Sequence, residues 1–253
     1  MRRHPTIPSR RRWLKACAVA CLGAAAAVGA GPQAVLRFSR LENVPDQYVG
    51  GEILVEVYKR LGITVQFADL PAKRSLIESS EGRVDGEVQR ILAVQDQYPT
   101  LVAVHPTINF IEPAAFVRKG MNPRLNGWKS LAPHSLGIVR GVGSSERGTQ
   151  GMPAVEAVTT MEHLMQSLDA GRFEVAVNDR FSGLLVIRRL GLESKLQPVE
   201  PPLEHIPLYH FLHERHRDLV PKVGQVIRDM QSRGELERLR HQLMEKMLAE
   251  ARR

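Results

Sequence analysis

The residues most able to do chemistry sit at the ends of apolar runs. Gly141-Val142-Gly143-Ser144-Ser145-Glu146 follows the run Leu136–Val139 and opens a helical segment. A helix N-terminus presents free N–H groups and a partial positive charge, so Ser144 and Ser145 are candidates for holding an anion such as a carboxylate. The same pair would serve equally as an ordinary helix cap. Asp179 follows the run Phe173–Val177. An acid at the C-terminal end of a strand faces the crevice of an α/β sheet; the alternative is a turn residue or a partner for Arg180. Arg90 comes five residues after Asp85, and its guanidinium can fork onto a carboxylate or phosphate or pair with Glu87 or Asp96. Arg74, at a helix start after Pro71, and Arg140, beside the Gly141 turn, are further cations. Glu42 closes the polar turn Ser39–Glu42 after the first run and is a possible ligand contact.

Other chemistries find little footing. His205, His210, His213 and His216 gather in one stretch. His213-Glu214-Arg215-His216 is one residue shorter than His-Glu-x-x-His, so its histidines would not share a helix face, and no metal site is expected. There is no Gly-x-Ser-x-Gly elbow, no phosphate loop and no dinucleotide glycine fingerprint; Gly141-x-Gly143 lacks the third glycine. The expectation is a protein without catalytic residues or cofactor.

These residues need elements to position them. Val35–Phe38 is a short strand. Asp46–Leu61 is helical, with Val49, Ile53, Val57 and Leu61 spaced by four and Gly62 as the stop. Ile63–Phe67 alternates as a strand, Pro71–Glu81 is a short helix ended by Gly82, and Val84–Val88 is the next strand. This β-α-β-α-β opening favours an α/β sheet with helical crossovers. Leu101–Val104, Ile108–Ile111 and Ala114–Val117 are three short strands in succession. A second α/β unit follows: the strand Leu136–Val139, a helix with Met161, Leu164, Met165 and Leu168 on one stripe and Thr159/Glu162 spaced as a capping box, then the strand Phe173–Val177. Pro198–Pro207 reads as a crossing segment, Leu208–Leu212 as a strand, and two amphipathic helices separated by Gly234 close the chain.

The chain has 253 residues and a formal net charge of +8. Residues 1–30 look like an address. Ser9-Arg10-Arg11-Arg12-Trp13-Leu14-Lys15 precedes a weakly apolar Ala/Gly-rich run ending in Val28-Gly29-Ala30, the layout of a secretory signal with cleavage near Ala30. The arginine pair resembles the twin-arginine signal Ser-Arg-Arg-x-Phe-Leu-Lys, with Trp13 in place of Phe. The run is too short for a membrane anchor, which needs about twenty apolar residues, and a nucleic-acid arm would not be followed by it. Cys21 weakly resembles a lipoprotein site without its usual Leu. Without residues 1–30 the net charge falls to +2 and neither cysteine, Cys17 nor Cys21, remains. The basic pI therefore belongs largely to the leader, and no nucleic-acid partner is expected. Thiol nucleophiles and Cys-ligated metals are excluded from the remainder.

Lys59-Arg60-Leu61-Gly62-Ile63, Pro71-Ala72-Lys73-Arg74-Ser75-Leu76, Gly82-Arg83-Val84-Asp85-Gly86, Leu168-Asp169-Ala170-Gly171-Arg172-Phe173 and the C-terminal stretch Tyr209–Leu236 together resemble the family 3 extracellular solute-binding proteins, the amino-acid-binding type of bacterial uptake systems. The resemblance covers most of residues 34–240 and rests on order and spacing. It implies the two-lobed periplasmic-binding-protein fold (type II), each lobe a mixed sheet flanked by helices and the lobes joined by two crossing segments. Residues 31–117 with 203–253 would form lobe 1, and 118–202 lobe 2. It also implies that Ser144 and Ser145 match the turn that holds a ligand carboxylate, that Asp179 matches the acid that meets the ligand's amino group, and that Arg90 falls among polar cleft residues. The chain departs from the family at Ala93-Val94-Gln95-Asp96-Gln97, where a Thr and a clamping Arg are usual; Arg90 would substitute, or the ligand differs.

The expected function is an exported, monomeric, periplasmic binding protein. It takes up a small polar, carboxylate-bearing, amino-acid-like solute and delivers it to the permease of a membrane ABC transporter. Two alternatives stand beside it. One is an exported enzyme on the same scaffold, such as a cyclic-acid dehydratase, needing a cleft carboxylic acid of raised pKa among Glu42, Glu87 and Asp179. The other is a ligand-sensing partner of a membrane receptor.

Overall fold

The computed structural model describes Met1 and residues 35–251. The expected leader, its twin arginines, its cleavage site and both cysteines lie outside the described residues. Among the described residues no helix is long and apolar enough to cross a membrane.

The first unit opens with strand β1 (Val35–Leu41), helix α1 (Pro45–Lys59), β2 (Thr64–Leu70), α2 (Ala72–Ser80), β3 (Gly86–Arg90), the short α3 (Val94–Gln97) and β4 (Leu101–Ile111). Pro45 begins α1, where a missing N–H costs nothing. Gly62 and Gly82, at φ of 70° and 72°, turn the chain after α1 and α2. Only Glu112 separates β4 from β5 (Pro113–Arg118). The second unit continues with β6 (Leu136–Val139), α4 (Gly143–Gly148), β7 (Val155–Val158), α5 (Met161–Asp169), β8 (Val175–Asp179), α6 (Arg180–Arg189) and β9 (Leu196–Pro198). The chain returns to the first sheet as β10 (Ile206–His213) and ends with α7 (Val220–Ser232) and α8 (Glu235–Glu250).

The two sheets repeat one plan. The first has the order β2-β1-β3-β10-β4 and the second β7-β6-β8-β5-β9. In each, three strands run parallel and the last two are antiparallel to their neighbours. Parallel strands need crossover helices on the sheet faces, which α1, α2, α4 and α5 supply. One core packs α1, α7 and α8 on the first sheet through Ile53, Val57, Val104, Val223 and Ile227. Two further cores, around Phe116 and Leu164 and around Val117 and Leu131, belong to the second.

Four local readings need correction. Ser39 and Arg40 are not in a turn: β1 runs on to Leu41, because Ser39 is buried beneath α2 and Arg40 is paired in register with Asp69 of β2. The two segments read at 101–104 and 108–111 are one strand, β4, which pairs with β10 at 101–104 and 109–111 on either side of a shift in register. The cap of α5 is Thr160, one residue later than expected; its hydroxyl accepts from the His163 N–H at 3.1 Å, while Glu162 pairs with Arg189. Strand β7 and helix α6 carried too little periodicity to be expected at all.

Candidate functional site

Residues just beyond the C-terminal ends of β1, β6 and β7 meet across a cavity of about 640 Å³. Asn43 and Tyr48 approach from the first unit, Thr159, Thr160 and Arg189 from the second, and Met247 from α8. A crevice outside the carboxyl ends of strands is where α/β folds take ligands, and the volume is in the range of small-molecule sites. The cavity wall mixes hydroxyls with Val139, Met161, Leu185 and Val186, and its one ion pair, Arg189–Glu162 at 3.1 Å, is closed on itself.

Arg40 stands behind this wall. Its guanidinium grips Asp69 with two hydrogen bonds of 2.6 and 3.0 Å and lies 4.0 Å from the Tyr48 ring centroid and 4.9 Å from that of Phe67. A planar cation between two rings and a carboxylate holds Tyr48 at the cavity by stacking. Sequence reasoning touched Arg40 only as part of a turn; the matching signal was Asp69, which falls opposite it on β2.

Arg90 ends β3 and makes the ion pair with Glu87 at 2.8 Å, and its other nitrogen reaches the Ala72 carbonyl. Glu87 is fully buried. Its carboxylate also accepts from the hydroxyls of Ser39, Ser75 and Ser79 at 2.7–2.9 Å. Burying a charge is tolerable only with such complete satisfaction. Arg74 is exposed and paired with Glu78 at 2.6 Å. Arg140 and Glu42 are exposed at the ends of β6 and β1.

At the Gly141 turn, Ser144 is partly exposed, whereas Ser145 is buried and its hydroxyl has no partner. Glu146 reaches back to accept from the Gly141 N–H at 2.7 Å. The protein's own carboxylate thus occupies one donor of the turn that was expected to receive a ligand's.

Asp179 caps α6. One oxygen accepts from the Ser182 N–H at 2.9 Å and the other from the Glu112 N–H at 3.1 Å. Arg180 turns away to Glu200, at 2.6 Å. Burial holds the Asp179 carboxyl above the usual range against these donors, with the charge of Glu112 adding to the rise. Near it lies Asp46, in the first turn of α1, which sequence reasoning missed. Its carboxyl is buried and receives hydrogen bonds from the amides of Gln89 and Asn109. Burial first, and the charge of Asp179 second, push it up to about 8. Both aspartates line a second cavity of only about 20 Å³, with Glu112, Phe181 and Arg240. Of the residues nominated from sequence, Asp179 alone lines either of these two cavities. The histidines form no metal cluster among the described residues. His210 is buried between the Tyr58 hydroxyl and the Glu87 carbonyl, and burial lowers its pKa to about 4.

A structure of an amino acid ABC transporter substrate-binding protein of Streptococcus pneumoniae, bound to L-arginine, superposes with a TM-score of 0.64, covering 85% of this chain and 96% of that one at 12% identity. The chain has the two-lobed fold of these binding proteins. A histidine kinase sensor domain with similarity to periplasmic binding proteins matches at 0.62, covering 84% and 96% at 18% identity. An uncharacterized protein of Shewanella oneidensis is 22% identical over 201 residues, covering 75% of this chain and 74% of its own. No protein-family pattern matches the chain. The α/β fold class expected from the family 3 resemblance is therefore borne out, and both structural neighbours are binding or sensing proteins.

Proposed function

We propose that this protein is an exported solute-binding protein. It captures a small polar, carboxylate-bearing, amino-acid-like solute between its lobes and delivers it to a membrane ABC transporter. Residues 31–117 with 203–253 act as one lobe and 118–202 as the other. The observation that carries this reading is the 640 Å³ cavity walled by residues of both proposed lobes, so that a solute filling it touches both. A ligand that makes contacts on both sides favours the state with the lobes together. Tyr48, held by Arg40, supplies a ring face, and Thr159 and Thr160 supply donors. The neighbour with L-arginine bound supports an amino-acid-like solute.

The pairing of Arg90 with Glu87 gives the sensing reading some weight. Here the cation expected to clamp a carboxylate is already satisfied, and one neighbour is a sensor domain. The enzyme reading requires a cleft acid of raised pKa. Asp46 and Asp179 have that property, yet they share a cavity with room for about one water. That cavity has no room for a substrate.

The test is thermal unfolding of the purified chain against amino acids, dicarboxylates, aromatic acids and small peptides. A ligand of the folded state raises the midpoint with concentration. A rise that Tyr48→Ala and Thr159→Ala abolish supports the cleft. A rise that both variants leave intact places binding elsewhere and refutes it. Export is tested separately: Arg10→Lys with Arg11→Lys should keep the protein in the cytoplasm, and unchanged secretion would refute the twin-arginine route.

A further inference from the structure

The junction between the lobes holds charge where a passive hinge would hold none. Glu112 is the whole connection between β4 and β5. Against it lie Asp46, carried by α1 on the first sheet, and Asp179, carried by β8 of the second, both lining the same small cavity. Two residues past Asp179, Phe181 is 5% exposed and packs into the first sheet's core with Leu36, Ile53 and Ile227, although it belongs to α6. Helix α8 touches both α1 and α6. An apolar plug from one lobe is therefore seated in the other, immediately beside a pair of carboxylates that its seating brings together.

We propose that Asp46 and Asp179 form a proton-operated latch: with Asp46 protonated the lobes stay together on Phe181, and loss of that proton drives them apart. The proposal rests on the two-lobed reading above but on no particular ligand.

The surrounding charges decide the sign. Arg240 of α8 is the cation drawing Asp46 toward its charged form. It is already bound to Glu237, at 2.7 and 3.1 Å, and stacked 3.8 Å above Phe110. From β3 and β4 come only the neutral amides of Gln89 and Asn109. Arg180 is committed to Glu200, and Glu112 adds a negative charge whose own neighbour is His205 at 3.6 Å. Burial and Asp179 outweigh the hydrogen bonds from Asn109 and Gln89 and the charge of Arg240, which is why the Asp46 proton is held up to about pH 8. Parting the lobes takes Phe181 and the charge of Asp179 away from the carboxyl, while Gln89 and Asn109 stay with it, and so lowers it from about 8 toward its ordinary value of 3.8. Closing therefore takes up a proton, and between those two values the closing equilibrium weakens by up to about tenfold per pH unit. Acid closes the latch and alkali opens it.

The experiment is small-angle scattering of the purified chain from pH 5 to 9, without ligand. The radius of gyration should rise with pH, and Asp46→Asn should stay compact throughout. Asp179→Asn should also suppress the rise, which keeps the test valid if the first variant folds poorly. His205→Gln should follow the parent, separating the latch from the imidazole beside Glu112. A radius constant from pH 5 to 9 overturns the proposal, as does an unchanged rise in Asp46→Asn. Compaction by a solute without any pH response would sink the latch and spare the binding reading; the converse pattern would do the opposite.

Discussion

Replacing Glu87 by Gln is the sharpest test of how the first lobe presents Arg90. The substitution keeps shape and removes charge. One Glu87 oxygen accepts from Ser39, Ser75 and Ser79, and the other from Ser75 and the Arg90 guanidinium. Hydroxyls rotate, so the three serines can adapt to an amide oxygen. The guanidinium cannot, and the new NH₂ must face either Arg90 or the three serines. Breaking one side of a buried ion pair costs about 3–5 kcal/mol. Arg90 keeps 11% of its side-chain surface and its bond to the Ala72 carbonyl, so the lower end applies, about 3 kcal/mol. Arg90→Met leaves the fully buried Glu87 carboxylate with hydroxyl donors but no cation, and should cost about 3–5 kcal/mol. The double variant should then cost at least ~1 kcal/mol less than the two singles together. Urea unfolding followed by circular dichroism, with unchanged slopes, reads all three. A loss below about 1 kcal/mol in Glu87→Gln, or strict additivity, would refute the claim that Glu87 and Arg90 act as one unit.

Three further outcomes follow from the same geometry. A Cβ on Gly50 would collide with the Gln89 side chain, and Gln89 is buried and bound to Asp46 and Asn109; Gly50→Ala should cost about 1–3 kcal/mol in urea unfolding, and a neutral result would show that Gln89 is free to move. Thr160→Ala removes the cap of α5 and should cost about 1 kcal/mol, whereas no loss of midpoint would contradict the cap. His210, at about 4 when folded against its ordinary 6.5, refuses a proton that the unfolded chain accepts, so stability should rise as pH goes from 4 to 6.5. Asp46 acts with opposite sign over that window, so the slope is read in Asp46→Asn, where adding His210→Gln should flatten it; a persistent slope would assign it elsewhere.

Much of the scaffold is legible in the residues because it depends on local pattern. The four-residue spacing of Val49, Ile53 and Val57 marks the buried face of α1, and Gly62 and Gly82 turn the chain just after α1 and α2 end. The site is less legible because its decisive contacts are distant in the chain. Asp46 reads as an ordinary acid in a first helical turn. Its partners Gln89 and Asn109 lie 43 and 63 residues away, and only their convergence reveals a buried carboxyl. Arg90 shows the converse. Its charge is visible in the sequence, but whether it faces a ligand or Glu87 depends on serines from β1 and α2 that neutralise nothing and merely make Glu87 tolerable inside. At the Gly141 turn, the chain spacing does not reveal that Glu146 folds back onto the donor.

The central claim is that the two lobes close on a solute in the cleft beside Tyr48. Its most direct test is small-angle scattering at fixed pH, titrated with whichever compound raises the unfolding midpoint, on the parent chain and on Tyr48→Ala. Saturable compaction in the parent, shifted to higher concentration by at least about fivefold in Tyr48→Ala, is the predicted result, since an aromatic contact is worth about 1 kcal/mol or more and a tenfold change is 1.4 kcal/mol. A compound that raises the midpoint of both proteins equally and compacts neither would show that the cleft is not where this protein binds.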